Sequence, residues 1–325
     1  MGQDEIKYGP DTSGKAPRFT GISTFMKFPH TNDLEGVDVT VVGLPFDTLS
    51  SYRSGSRFGP SAIREISGFL RPANGYHKIH PFRYLSVTDY GDLPLLPGYH
   101  EDTYEIIEKA YTKIAQANVV PIGLGGDHSN TLAELRGLAK VHGPLSLIQF
   151  DAHGDTWDNY WGKKYTHGTP FRRAMEENII DPHTSIQIGM RGTLYEPDDF
   201  DEARGFGFDL ISAEQVREMT ASELAQRIKA RVGDRPVFFT FDIDFFDPSV
   251  APGTGTPEVG GFTSAEGLTY MRKLTGINYV GFDVVEVSPS HDVSQITSLL
   301  AANIAYEFVC FQAVAKRASV TELAK

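Results

Sequence analysis

The chain has 325 residues, enough for one large domain or two ordinary ones. Hydrophobic residues make up 40% and charged residues 22%, which suits a globular protein and argues against intrinsic disorder. Asp and Glu total 42 against 30 Lys and Arg, a formal charge of −12, and this argues against nucleic-acid binding, which calls for a basic surplus. No apolar run reaches the ~18–20 residues of a membrane helix, and Met1 to Ile6 carry no leader pattern. The single cysteine, Cys310, lies in an apolar stretch and reads as a small buried hydrophobe, so a cytoplasmic setting is expected.

Residues 1–36 are rich in Gly, Pro, Ser and Thr without periodicity, and read as an N-terminal arm, ordered or partner-contacting. From Val37 short apolar runs alternate with helical patterns. The runs are Val37–Leu44, Tyr84–Tyr90, Val119–Leu124, Leu145–Phe150, Ser185–Met190, Phe208–Ile211, Val237–Phe241 and Tyr279–Val287. Several are nearly continuous Val, Ile, Leu and Phe, as in strands buried on both faces. Amphipathic helices are predicted at Tyr104–Ala117, Asn130–Lys140, Ala221–Val232 and Ser264–Thr275, and a long C-terminal helix at Ile296–Lys316. Such alternation gives right-handed βαβ units and a parallel sheet of about eight strands. No linker or repeat divides residues 37–325, which are read as a single domain. An open doubly wound sheet and a closed barrel both fit.

Chemistry-bearing residues follow four of the runs. Gly125-Gly126-Asp127-His128-Ser129 follows the third, and Asp151-Ala152-His153-Gly154-Asp155 the fourth. Asp242-Ile243-Asp244 follows the seventh, while Asp283 and Glu286 lie in the eighth. Period-two alternation predicts that Asp151, His153 and Asp155 point one way, as do Asp242 and Asp244, with Asp283 and Glu286 on opposite sides. Carboxylates packed so closely repel one another unless cations intervene. Four Asp and two His exceed the needs of one open tetrahedral zinc and suit two divalent ions; Mn, Co, Ni and Zn all fit.

These stretches resemble the ureohydrolase family, the arginases and agmatinases. Phe241-Asp242-Ile243-Asp244-Phe245-Phe246-Asp247-Pro248 continues into Ala251-Pro252-Gly253-Thr254-Gly255-Thr256-Pro257-Glu258, and Arg57-Phe58-Gly59-Pro60-Ser61-Ala62-Ile63-Arg64 and Asp283-Val284-Val285-Glu286-Val287-Ser288-Pro289 also fit. Pro17-Arg18-Phe19-Thr20-Gly21 and His167-Gly168-Thr169-Pro170-Phe171 are most similar to the agmatinase branch. The resemblance covers residues from about 17 to 316. It implies an arginase-type three-layer α/β/α sandwich with a parallel sheet, and two divalent ions per chain, Mn first and Ni or Co as alternatives. His128, Asp151, Asp155 and Asp242 would hold one ion, and Asp151, His153, Asp242 and Asp244 the other. Asp127 would orient His128 from behind.

The chemistry the resemblance implies is hydrolysis of a guanidino C–N bond by a metal-bridging hydroxide. Asp155 would relay the proton, His167 would occupy the proton-shuttle position, and Glu286 would grip the guanidinium through both oxygens. Trp157, Asn159, Trp161 and His291 are the expected contacts of the substrate's tail. An aromatic wall beside Asp158 favours a cationic or neutral tail over an anionic one, hence agmatine first. Free guanidine, an alkylated biguanide and guanidinobutyrate are the alternatives. The family resemblance implies a homo-oligomer, trimer or hexamer, with a catalytically weak subunit of a hetero-oligomer as the contrasting reading. No membrane or nucleic-acid partner is expected.

Overall fold

Each of the eight apolar runs becomes a strand. In chain order they are β1 (Val39–Leu44), β2 (Val87–Asp92), β3 (Val120–Gly125), β4 (Ser146–Phe150), β5 (Ile186–Met190), β6 (Asp209–Ser212), β7 (Val237–Asp242) and β8 (Tyr279–Val285). The computed structural model describes residues 6–10 and 16–323. All pairings are parallel, in the order β2-β1-β3-β8-β7-β4-β5-β6. The sheet is therefore open, not a barrel. The four strands whose ends carry the chemistry, β3, β8, β7 and β4, are consecutive neighbours at its centre. A crevice beyond the carboxyl ends of such strands is where open α/β sheets place ligands.

Nine helices cover the two faces among the described residues: α1 (Gly59–Ser67), α2 (His100–Gln116), α3 (Asn130–His142), α4 (Pro170–Glu176), α5 (Asp199–Gly205), α6 (Ala213–Arg217), α7 (Ala221–Val232), α8 (Ser264–Arg272) and α9 (Ile296–Leu323). Strand side chains alternate between two cores. On β7, Val237, Phe239 and Phe241 enter the core under α1 and α6–α9, while Phe238 enters the one under α2–α4. This is the expected three-layer sandwich. The predicted helices all appear, α7 with the expected ends and the others with one or both ends shifted by a few residues. α1 and α4–α6 were not anticipated, being short, with Pro at the start of α1 and α4.

Only a short stretch of the described arm enters the core: Phe25, Met26 and Phe28 are buried with Ile63 of α1, whereas Phe19 and Ile22 are exposed. The Phe25 N–H donates to Asp89 on β2 at 2.8 Å, and Asp89 also pairs with Arg64 of α1 at 2.9 Å. Residues 1–5 and 11–15 of the arm lie outside the described residues. The long helix α9 corrects one expectation. Its stretch Ile296–Val320 is long and apolar enough to cross a membrane, yet 72% of its most apolar window is buried inside the domain. It is apolar because it is a core helix packed against α1, β8 and α8.

Candidate metal centre and pocket

All six candidate ligands come together at the carboxyl ends of β3, β4 and β7. His128 Nδ1 lies 3.2 Å from Asp151, 2.8 Å from Asp155 and 3.3 Å from Asp242. His153 Nδ1 lies 3.6 Å from Asp151 and 3.1 Å from Asp244. Two ligand groups result, His128–Asp151–Asp155 and Asp151–His153–Asp244, sharing Asp151. His128 Nδ1 and Asp244 Oδ2 are buried without a hydrogen bond of proper geometry. Orphaned polar atoms converging in this way fit divalent cations.

The electrostatics agree. Burial, then the charge of Asp151, pushes the Asp155 carboxyl up to about 6. Burial, then Asp244 and Asp151, pushes Asp242 well above its usual range. Burial also opposes the charge of Asp151, but hydrogen bonds with His128 and His153 outweigh it and hold its pKa low. The cluster lacks positive charge, and protons on its two imidazoles or bound cations supply it.

The direction of these side chains has a different origin from strand alternation. β4 ends at Phe150, and residues 151–155 form a turn in which the His153 N–H donates to Asp151 Oδ1 at 2.6 Å. The Asp244 N–H likewise donates to Asp242 Oδ1 at 2.8 Å. Asp155 has φ 52 and Glu286, just past β8, has φ 64, both in the left-handed region that ordinary residues avoid.

Behind the candidate ligands stand groups that the sequence reading missed. Gln149 on β4 donates to Asp151 Oδ2 at 2.8 Å, and Gln187 on β5 donates to Gln149 at 2.6 Å. Thr240 on β7 lies 2.8 Å from His128 Nε2. The signal was present: Gln149 and Thr240 each stand two residues before the first Asp of their motif, and so on its face of the strand. Asp127 does not orient His128. It accepts from the backbone N–H of Leu49 and of Ser129, both at 3.0 Å, and so fixes the loop after β1. Asp283 is sealed under α3, accepting from Thr131 at 2.6 Å, and takes no part in the pocket lining. Thr240→Val keeps the shape and deprives the imidazole of its partner. Loss of such a partner costs about 10–100-fold in metal affinity. A manganese titration of the variant measures this, and an unchanged affinity would show that His128 needs no help from Thr240.

Above the cluster opens a pocket of about 480 Å³ lined by His153, Asp155, Asp242, His167, Trp157, Tyr160, Tyr195, Ser51, Arg53 and Glu258, among others. Glu286 lies beside it, 1% exposed. Its Oε1 accepts from the His128 backbone N–H and from His167 Nδ1, each at 2.9 Å, while Oε2 is buried and unpartnered. The two-oxygen grip foreseen for Glu286 is thus reduced to one free oxygen. Trp157, Tyr160 and Tyr195 form one wall, their ring centres 5.9–6.0 Å apart.

Three expected tail contacts do not reach the pocket lining. Trp161 is 77% exposed at the tip of the tight turn Tyr160–Lys163. Asn159 braces that turn, accepting from the Gly162 N–H at 3.0 Å. His291 is exposed in the short turn Pro289–His291. Asp158, invoked as an acid beside the aromatic wall, pairs with Arg173 at 3.0 Å and points away. Arg53 and Tyr195 line the pocket instead, brought there from loops remote in sequence.

An open parallel α/β/α sandwich with a His/Asp cluster beyond its central strands defines a metal-dependent hydrolase of the ureohydrolase type. The arginase family model matches residues 37–310, and the chain belongs to the arginase family. It is 41% identical to a guanidinobutyrase of Pseudomonas aeruginosa, over 94% of this chain and 97% of that one. It is 40% identical to a mitochondrial agmatinase of Gallus gallus, over 93% and 88%. The solved structure of proclavaminate amidinohydrolase from Streptomyces clavuligerus superposes with a TM-score of 0.88 at 42% identity, covering 92% of this chain and 99% of that one.

Proposed function

We propose that the chain is a two-metal amidinohydrolase of guanidino acids, with guanidinobutyrate as the reference substrate. The observation that carries the reading is the pocket itself: six converging His and Asp side chains beneath it, of which His153, Asp155 and Asp242 line it, the free oxygen of Glu286 beside them, and Arg53 in its lining. Arg53 is half-buried and makes no ion pair with the described residues, so its guanidinium is available to a carboxylate tail. The guanidinobutyrase relative supports this choice. His128, Asp151, Asp155 and Asp242 would hold one ion and Asp151, His153, Asp242 and Asp244 the other; Mn is proposed first, Ni or Co next.

Bound divalent ions supply a nucleophilic hydroxide near neutral pH. The remaining work falls to side chains. Glu286 Oε2 accepts an N–H of the substrate's guanidinium and turns its central carbon toward the cluster. Asp155, on the pocket floor, carries the proton released by water to the departing nitrogen, which leaves as a neutral amine. Trp157, Tyr160 and Tyr195 exclude water along the tail. Arg53 fixes the far end.

Glu258, in the same lining, favours a second reading with an ammonium tail, agmatine. Urea release from guanidinobutyrate, agmatine and free guanidine, with Mn, Ni and Co supplied separately, separates the two. Guanidinobutyrate is expected to be preferred, and Arg53→Ala to raise its KM about 10- to 100-fold, the span of one charged hydrogen bond. A wild-type preference for agmatine transfers the assignment to the second reading. No urea from any guanidino compound would remove the hydrolase reading altogether.

A further inference from the structure

We propose that Ser51 is a positioning residue which, acting through His167, keeps one oxygen of Glu286 free for the substrate. The proposal rests on the reading of Glu286 as the guanidinium-binding carboxylate. Ser51 makes two contacts with a single ring atom. Its backbone N–H donates to His167 Nε2 at 3.1 Å, and its Oγ lies 2.7 Å from the same nitrogen. A backbone N–H can only donate, so Nε2 is the acceptor and the ring proton sits on Nδ1. Nδ1–H then donates to Glu286 Oε1 at 2.9 Å. The opposite tautomer would set an N–H against the Ser51 N–H, and a lone pair against a carboxylate. The tautomer is therefore set from the Ser51 side.

The consequence falls on Glu286. Oε1 receives two N–H groups, from His167 and from the His128 backbone, and has no lone pair left for a third donor. A carboxylate held this way cannot rotate its second oxygen out of place without breaking both bonds. Oε2 is left buried, unpartnered and beside the pocket. The anchor of the arrangement is rigid. Asp127 holds the Leu49 N–H at 3.0 Å, and the Leu49 carbonyl accepts the His167 N–H at 3.1 Å. Ser51 and His167 are thus tied together through main chain as well as through side chains.

This arrangement engages both nitrogens of His167. A shuttle role, as the family resemblance implies, requires the ring to give up Ser51 first; a clamp role does not. The two roles are separable. In the wild-type protein, long-range ¹H–¹⁵N spectra, with the His167 signals assigned by their loss in His167→Asn, should show one neutral tautomer protonated at Nδ1. Ser51→Ala keeps the backbone N–H and loses the hydroxyl. Only the longer backbone donor at 3.1 Å then holds Nε2 as acceptor, so the tautomer should weaken without inverting, and KM for the guanidino substrate should rise about 3- to 10-fold, the range of one neutral hydrogen bond, with kcat altered less than about twofold. Ser51→Thr keeps the hydroxyl and should restore both readings. A role in packing alone would lower Tm and leave tautomer and KM unchanged. That result overturns the proposal, as does a wild-type His167 protonated at Nε2, or a Ser51→Ala loss confined to kcat. If wild-type protein hydrolyses no guanidino compound, the functional reading fails, and the tautomer measurement still decides the arrangement.

Discussion

Asp242→Ala is expected to abolish turnover and to leave at most one metal ion per chain. Asp242 is buried at 2% exposure, at the end of a central strand. It faces His128 Nδ1 at 3.3 Å through Oδ2, and its Oδ1 accepts the Asp244 N–H that shapes the following turn. Truncation therefore removes one candidate ligand directly and releases the aim of a second. It also removes one carboxylate from a crowded dry site, so the metal-free variant should keep its fold, with a Tm equal to or above that of the metal-free wild type. Where two ions act together on the reacting atoms, losing one costs on the order of a thousandfold or more in kcat. Metal analysis of the dialysed variant and steady-state kinetics test both parts. Full activity from a protein carrying a single ion would sink the two-metal reading.

Glu286→Gln is the second large effect. The variant must still accept the His128 and His167 N–H groups, so its amide oxygen takes the place of Oε1. The NH₂ group then occupies the position of Oε2 and faces the substrate as a donor opposite donors. The loss includes a charged hydrogen bond, about 1.5–3 kcal/mol, with repulsion added to it. A fall of kcat/KM by at least one to two powers of ten follows. The backbone is unaffected, because the Glu286 N–H still donates to the Gly126 carbonyl at 2.8 Å. Metal content and melting temperature should match wild type. Unchanged kcat/KM would take Glu286 out of the site.

Strand positions were legible because four central strands and their neighbours are buried on both faces and so are written in continuous apolar residues. Short helices such as α1 were not, since Gly59-Pro60 reads as a turn when its burial under α9 is unseen. The convergence of the candidate ligands was legible for a chemical reason: Asp and His are rarely placed after apolar strands without a task. Its orientation was right on a mistaken ground, because turns, not strand alternation, aim Asp151, His153 and Asp244. The supporting Gln149 and Thr240 are hidden because they lie inside otherwise apolar runs. The pocket's upper wall was least legible. Which loop residues face inward depends on tertiary partners, as Arg173 drawing Asp158 away illustrates. A tail preference argued from the neighbours of Trp157 in sequence therefore missed Arg53 and Tyr195.

The backbone at Asp155 has an evolutionary consequence. An aspartate at φ 52 sits in a conformation that costs a non-glycine residue on the order of 1–3 kcal/mol, and its buried charge adds to the crowding around Asp151. Glycine at this position would relieve both burdens at once. With the proton-carrying role proposed for Asp155, the metal-free chain retains this residue against a stability gradient, and selection for turnover opposes that gradient. Once such selection lapses in a duplicated copy, glycine at 155 is the substitution that drift and thermal selection both favour. A descendant with the same fold, an intact His128 and glycine at 155 would mark a lineage that has exchanged hydrolysis for a role as a more heat-stable, inactive subunit.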